Sequence, residues 1–302
     1  MNQFKSLEDT IVAISTATGG GIGIVRISGR MAVSIADQIF IARKKIKPSQ
    51  FSNFTAHYGH VVTALENKEV IDEALLMVMR APKSYTCEDV VEISCHGGPL
   101  VLKKILTLAL DRGARLAEPG EFTKTSFLNG RIDLTQAEAV LDIIRSKTET
   151  FLRMSTNQLK GELSHQLETM RTALMDVYTA LEAVLNFPED DIDAKGRTQF
   201  LDTVNKITDR INTLWRSGEQ GRILREGIKI VICGRTNVGK SSLLNVLLKQ
   251  PRAIVSEVAG TTRDTIEENA QIRGVPFQLV DTAGILEPRD LIEEEAIKRS
   301  HM

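Results

Sequence analysis

Between Ile228 and Leu248 the chain reads IKIVICGRTNVGKSSLLNVLL, residue types spaced as the chemistry of a polyphosphate requires. A run rich in β-branched residues (Ile228, Ile230, Val231, Ile232) gives way to Gly234. Gly239, Lys240 and Ser241 follow, and then an apolar helical pattern through Leu243, Leu244, Val246 and Leu247. Strand, G-x-x-x-x-G-K-S and helix, in that order, make a phosphate-binding loop. The glycines let the backbone fold close to the phosphates, and successive N–H groups at the helix start point at anionic oxygens. Lys240 adds a point charge for the β- and γ-phosphates, and the Ser241 hydroxyl is a Mg²⁺ ligand.

Two later segments extend this constellation. In Val258-Ala259-Gly260-Thr261-Thr262-Arg263-Asp264, a threonine stands where switch-type nucleotide hydrolases place a second Mg²⁺ ligand that senses the γ-phosphate. A predicted strand over Val275–Val280 then ends in Asp281-Thr282-Ala283-Gly284, a metal-side carboxylate followed by a glycine hinge. Each tetrapeptide is common alone; the three in this order are selective. The residue after Gly284 is Ile285, where Ras-type enzymes use a glutamine to orient the attacking water. Either hydrolysis is very slow or another polar group does that work. The acidic cluster Glu293, Glu294 and Glu295 offers one, its plainer reading being a solvated helix start.

These segments need a sheet and several helices to position them, and 302 residues suffice for two or three domains with a real core. Charged residues at 25% and apolar ones at 42% are ordinary for a soluble globular protein, and a net charge of −1 means that any nucleic-acid contact needs a local patch. The three cysteines, Cys87, Cys95 and Cys233, have no C-x-x-C spacing and argue against a disulfide framework or zinc site. The start lacks a signal-peptide core and no apolar run reaches membrane-spanning length, so a reducing cytoplasm fits best and no membrane partner is expected.

From Thr10 to Ser28 two β-type runs flank Gly19-Gly20-Gly21. No helix follows the glycines, so a dinucleotide fingerprint is excluded, leaving a glycine hairpin or a close ligand approach. Arg26 sits among apolar strand residues, where it needs a partner or a ligand unless the strand is a wet edge. A short helix is predicted from Met31 to Phe40, a solvated loop over the basic Arg43–Lys47, and strands over 57–62 and 74–79. His57 and His60 would face opposite sides of their strand, which argues against a shared metal. A strand through Val90, Val91 and Ile93 carries Glu92, costly to bury without a partner, and runs into His96-Gly97-Gly98-Pro99. The helix after it should start at Pro99 and bury Leu100, Ile105, Leu106 and Leu108. Cys95 beside His96 invites a nucleophile reading, but with no third member a packing cysteine and a turn histidine are preferred.

From Gly120 to about Glu219 the pattern is helical. Leu163, Leu167, Met170, Leu174, Val177, Leu181 and Val184 step by four and three, and the helix should stop at Asn186-Phe187-Pro188. The acidic run Glu189–Asp193 reads as a solvated turn, and Gly218, Gly221 and Gly227 as a linker into the nucleotide domain.

Taken together, GGGIGIVRISG, SYTCEDVVEISCHGG, PGEFTKTSFLNGRIDLTQAEA, LREGIKIVICGRTNVGKSSLLN, GTTRD and DTAG resemble the MnmE (TrmE) family of tRNA-uridine-modifying GTPases over essentially the whole chain. The resemblance implies a multidomain protein of mixed α+β and α/β class. It would have an α+β folate-binding and dimerising domain over 1–129, an α-helical domain over 130–222, and an incomplete Ras-like P-loop GTPase domain over 223–302. It implies a reduced folate (5-formyl- or methylene-tetrahydrofolate) held by Arg26, Glu92 and Arg131, and GTP held by Asn237, Val238, Gly239, Lys240, Ser241, Ser242, Ser256, Glu257, Val258, Ala259, Gly260, Thr261, Thr262, Asp281, Thr282, Ala283 and Gly284. Mg²⁺ would take Ser241 and Thr262, and K⁺ would take oxygens of Asn237, Ser256, Val258 and Thr261. Glu293 would position the attacking water. The family's partners are a second copy, the flavoprotein MnmG and tRNA, modified at carbon five of the wobble uridine. The chain ends at His301-Met302 with no N-K-x-D after the second switch, so it reads as C-terminally truncated and GTP preference follows from the resemblance alone. A ribosome-assembly GTPase of the Era or Der type, and a folate-binding fragment inert toward nucleotide, are the alternatives.

Overall fold

The computed structural model describes residues 9–63, 69–186, 194–231, 267–272 and 274–280, and the chain divides into two compact units, 1–137 and 138–302.

In the first unit, seven strands form one mixed sheet. They are β1 (Ile11–Ile14), β2 (Gly23–Ser28), β3 (Phe40–Ala42), β4 (Thr55–Val62), β5 (Val70–Met79), β6 (Val90–Cys95) and β7 (Arg115–Leu116), ordered β3-β4-β5-β6-β2-β1-β7. Only the β1–β7 pair is parallel. The glycine-rich stretch 19–21 closes the β1–β2 hairpin, as expected, with Gly19 at φ +90 and its N–H donated to the Gly97 carbonyl at 2.8 Å. Helices α1 (Ala32–Ile39) and α2 (Pro99–Leu110) cover one face. Period-two alternation sends Val25 and Ile27 of β2, Leu76 and Val78 of β5, and Val91 and Ile93 of β6 into a core with Ile35 and Ile39 of α1 and Leu102 and Ile105 of α2. Residues between them in sequence, Arg26 and Glu92 included, therefore face the other side. Helix α2 begins at Pro99 as expected, but Leu100 is 67% exposed. Leu102, Ile105, Leu108 and Ala109, at helical spacing, take the sheet face, and Leu100 lies off that stripe.

In the second unit, α5 (Glu149–Leu159), α6 (Glu162–Asn186) and α7 (Ala194–Glu226) pack on one another, joined by α4 (Leu134–Arg145), whose first turn belongs to the first unit. Thr148 caps α5, its hydroxyl accepting the Phe151 N–H at 3.2 Å. Two expectations need correction. Of the α6 stripe only Met170 is buried among the described residues, while Leu167, Leu174 and Leu181 are exposed. Gly218 and Gly221 are not linker: α7 runs through both and ends at Glu226, before Gly227, whose φ of +78 breaks the helix. Each mid-helix glycine costs about 1 kcal/mol relative to alanine. The cost is offset where Arg225 binds Glu138 and Asp142 of α4, each at 3.0 Å. After Gly227 comes a three-stranded sheet of β8 (Ile228–Val231), β9 (Glu267–Ile272) and β10 (Val275–Val280), ordered β8-β10-β9, with β10 parallel to β8 and antiparallel to β9.

Candidate functional site

Arg26 and Glu92 are register partners on the antiparallel β2–β6 pair. Because β6 and β1 flank β2, Arg26 stands inside the sheet and the wet-edge alternative fails. Nε of Arg26 donates to Oε1 of Glu92 at 2.7 Å, with side chains 29% and 17% exposed. Each charge answers the other's desolvation, the problem both posed in the sequence. No second bond to Glu92 is found among the described residues.

Three rings and cations gather over this pair. The Arg26 guanidinium lies 5.9 Å from the Tyr85 ring centre and 5.4 Å from that of Phe122. Arg131 lies 5.0 Å from the Tyr85 ring and donates from Nη1 to the Tyr85 carbonyl at 3.4 Å. The Tyr85 hydroxyl and the Thr123 hydroxyl are 2.9 Å apart. Arg26, Glu92 and Arg131, far apart in sequence, are thus brought together around Tyr85, with Arg131 exposed.

Local chemistry holds Tyr85 in place. Its loop between β5 and β6 closes where the Ala81 N–H and the Arg80 guanidinium meet the Asp89 carboxylate at 3.0 and 3.5 Å. The Thr86 hydroxyl meets that of Ser28 on β2 at 2.7 Å, and Asn129 Nδ2 donates to the Thr86 carbonyl at 2.7 Å. Ser28 also donates to Glu88 at 2.9 Å, and burial pushes the Glu88 carboxyl above its ordinary value. Phe122 and Thr123 are held because α3 (Glu121–Leu128) starts at a clamp: Arg115 grips Glu121 with two N–H groups at 2.8 and 3.1 Å and Asp9 with a third at 3.0 Å. Tyr85, Phe122, Thr123 and Asn129 were not singled out from the sequence. Their signal was present, since all four lie within the stretches SYTCEDVVEISCHGG and PGEFTKTSFLNGRIDL that carry the resemblance.

Chemically, the cluster offers a carboxylate acceptor, two flat aromatic faces and one more cation than anion. Such a set suits a planar heteroaromatic group with N–H donors and an anionic tail. The Cys95–His96 pair is not part of it. Cys95 is buried, its thiol pushed up to about 11 chiefly by desolvation, and His96 is turned to Asp72, its Nδ1 2.7 Å from Oδ1. Among the described residues no group of three His, Cys, Asp or Glu side chains suits a metal ion.

In the nucleotide region, Val231 and Val280 are register partners at the ends of two parallel strands. Asp281 follows one end directly, and Gly234 lies three residues past the other. The sites named from sequence there, Asn237–Ser242, Ser256–Thr262, Asp281–Gly284 and Glu293, lie outside the described residues, as does the acidic run Glu189–Asp193.

Two family models match the chain: the GTP-binding protein TrmE N-terminus over residues 10–131 and the MnmE helical domain over 134–301. The chain belongs to the MnmE family. It is 50% identical over 295 residues to the tRNA modification GTPase MnmE of Carboxydothermus hydrogenoformans, covering 97% of this chain and 64% of that protein. It is 48% identical over 301 residues to the protein of that name from Lactobacillus acidophilus (99% and 64%), and 48% over 294 residues to that of Staphylococcus haemolyticus (97% and 63%). The chain thus spans a little under two thirds of the length of these curated relatives. Membership in the MnmE family removes the Era or Der alternative, which had no account of the N-terminal segment matched here. No described helix is long and apolar enough to cross a membrane.

Proposed function

We propose that this chain is the folate-binding, helical and nucleotide-binding part of a tRNA-modifying GTPase. The observation that carries the reading is the parallel pairing of Ile228–Val231 with Val275–Val280. In sequence, G-x-x-x-x-G-K-S follows the carboxyl end of one of these strands and D-T-A-G the carboxyl end of the other, the end at which open α/β sheets bind ligands. Lys240 and the amides of Asn237–Ser242 would hold the GTP phosphates, and Ser241 and Thr262 the Mg²⁺. A K⁺ on Asn237, Ser256, Val258 and Thr261 would offset charge developing on the phosphates, and Glu293 would orient water in place of the glutamine absent at Ile285.

The first unit supports a reduced folate as one-carbon donor. A pterin presents N–H donors that a carboxylate such as Glu92 accepts, Tyr85 and Phe122 offer it flat surfaces, and Arg131 suits the folate's anionic tail. The bound folate supplies the carbon; Arg26 keeps the Glu92 carboxylate aimed. By family, the chain acts in the cytoplasm as a homodimer through residues 1–129, with MnmG as its flavoprotein partner, on carbon five of uridine 34 of tRNA.

Calorimetry with 5-formyltetrahydrofolate and with GTP tests both halves. Both ligands should bind, and Lys240→Ala should abolish the GTP heat alone. Phosphate release, where measurable, should require K⁺ over Na⁺. Folate binding without GTP binding would instead favour a non-catalytic folate module, and binding of neither would refute the proposal.

A further inference from the structure

The first unit carries a second polar site, away from the folate cluster, at the outer edge of its sheet. After Ala42 the chain leaves β3 in a tight turn, with Lys45 at φ +54 and its N–H bonded to the Ala42 carbonyl at 2.9 Å. Strand β3 covers only Gly59–Val61 of β4, and the Arg43 N–H closes on the Tyr58 carbonyl at 3.0 Å. Past that point the β3-side edge of Thr55–His57 has no strand partner among the described residues. The resulting cleft, of about 610 Å³, is lined by Arg43, Lys44, Thr55, Ala56, His57 and Tyr58.

Four cations stand within five residues here: Arg43, Lys44, Lys45 and Lys47. All four are exposed, and none forms an ion pair among the described residues. That is unusual in a chain whose other arginines so often grip carboxylates, as Arg26, Arg80, Arg115, Arg171, Arg222 and Arg225 do. An aromatic ring lies beside them. Tyr58 is 41% exposed, and the Glu73 carboxylate pushes its pKa up. The His57 ring is stacked on Phe51 at 3.6 Å and its Nε2 is 2.9 Å from the Thr55 hydroxyl. The Glu73 carboxylate beside this edge lies 3.9 Å from His60.

We infer that this cleft is an RNA contact, in which Arg43, Lys44 and Lys45 hold the backbone phosphates of a single-stranded tRNA segment and Tyr58 stacks on a base. Unpaired cations beside an exposed ring are what single-stranded RNA needs: charge for the phosphates and a flat surface for an unstacked base. An acidic peptide would use the open backbone edge and the charge but leave Tyr58 without a role. A patch of this kind is also what a chain of net charge −1 requires in order to approach RNA. The inference rests on the proposed role in tRNA modification.

The test is fluorescence anisotropy of end-labelled bulk tRNA with the full chain, titrated at several salt concentrations. The triple variant Arg43→Gln/Lys44→Gln/Lys45→Asn keeps a residue tolerant of positive φ at 45. It should weaken binding about tenfold or more and flatten the log-affinity against log-salt slope by about 2. Tyr58→Leu should weaken binding with the slope unchanged, and ultraviolet cross-linking should recover tRNA on the peptide holding Tyr58. Lys103→Gln/Lys104→Gln on exposed α2 removes charge elsewhere and should do neither. Binding by the unaltered chain that survives the triple variant, or that falls equally with the α2 control, overturns this site and leaves the tRNA reading standing. Failure of the unaltered chain to bind tRNA overturns both, and polyglutamate binding in its place would mark the edge as a peptide site.

Discussion

Arg26 and Glu92 are 66 residues apart in sequence and 2.7 Å apart in space, paired across two central strands with Tyr85 and Phe122 over the guanidinium. The pair is the best-enclosed charged feature of the site. Glu92→Gln keeps shape and loses charge. It should weaken 5-formyltetrahydrofolate binding about tenfold to a hundredfold, the worth of a charge-assisted hydrogen bond, and lower the melting temperature, though less than loss of Arg26 does, because the Arg26 left without its anion is the more exposed partner. Calorimetry beside a thermal melt checks both parts, and unchanged affinity would remove Glu92 from the site.

Arg26→Ala should behave differently. It leaves the Glu92 carboxylate enclosed without its cation, so stability should fall by about 1–3 kcal/mol, measured by urea unfolding. Arg26→Lys, which keeps the charge but not the fork, should recover only part of it.

Ile27, next to Arg26 but on the opposite face, is fully buried under the helices. Ile27→Val should cost about 0.5–1.5 kcal/mol and Ile27→Ala about 2–5 kcal/mol, in line with the methyl groups removed. A loss of folate binding in excess of the loss of fold would mean that β2 shifts when its core side empties.

Glu88 sets a pH dependence. Burial raises its folded pKa above the ordinary 4.5, with the Ser28 hydrogen bond and Arg30 opposing. The folded chain therefore favours the protonated form. That contribution is whole below the ordinary value and is lost as pH rises through the raised one. Melting temperature followed from about pH 4 to about pH 7 should include this decline, and Glu88→Gln should flatten it. An identical profile in the variant would rule Glu88 out.

In the helical unit, Arg225→Ala strips the cation from Asp142, whose side chain is only 10% exposed and whose carboxyl burial already pushes up. A loss of about 1–3 kcal/mol is expected, smaller in Arg225→Lys, and Glu138→Gln should matter less because Glu138 is largely exposed. Chemical denaturation of the three variants orders them.

Much of this molecule was legible beforehand, for reasons that are local. Alternation over 23–28 and 90–95 marked two strands, and Pro99 and Asn186 marked helix ends, because strand pleat and helix period act within a few residues. Where local signals misled, a distant partner had outweighed them. Gly218 and Gly221 read as linker, yet α7 continues through them, bound to α4 through Arg225. The stripe of α6 read as a seam, yet apolar periodicity says which side of a helix is greasy and not what covers it.

By itself, the sequence determined the elements, the family and the residues with chemistry to offer: Arg26, Glu92, Arg131 and the glycine–lysine loop. Tertiary structure alone decided that Arg26 and Glu92 pair with each other, that Tyr85 and Phe122 lie over the Arg26 guanidinium, and that Arg43 and Lys44 border an open strand edge. Those outcomes depend on strand order and register, which arise from burying whole faces at once.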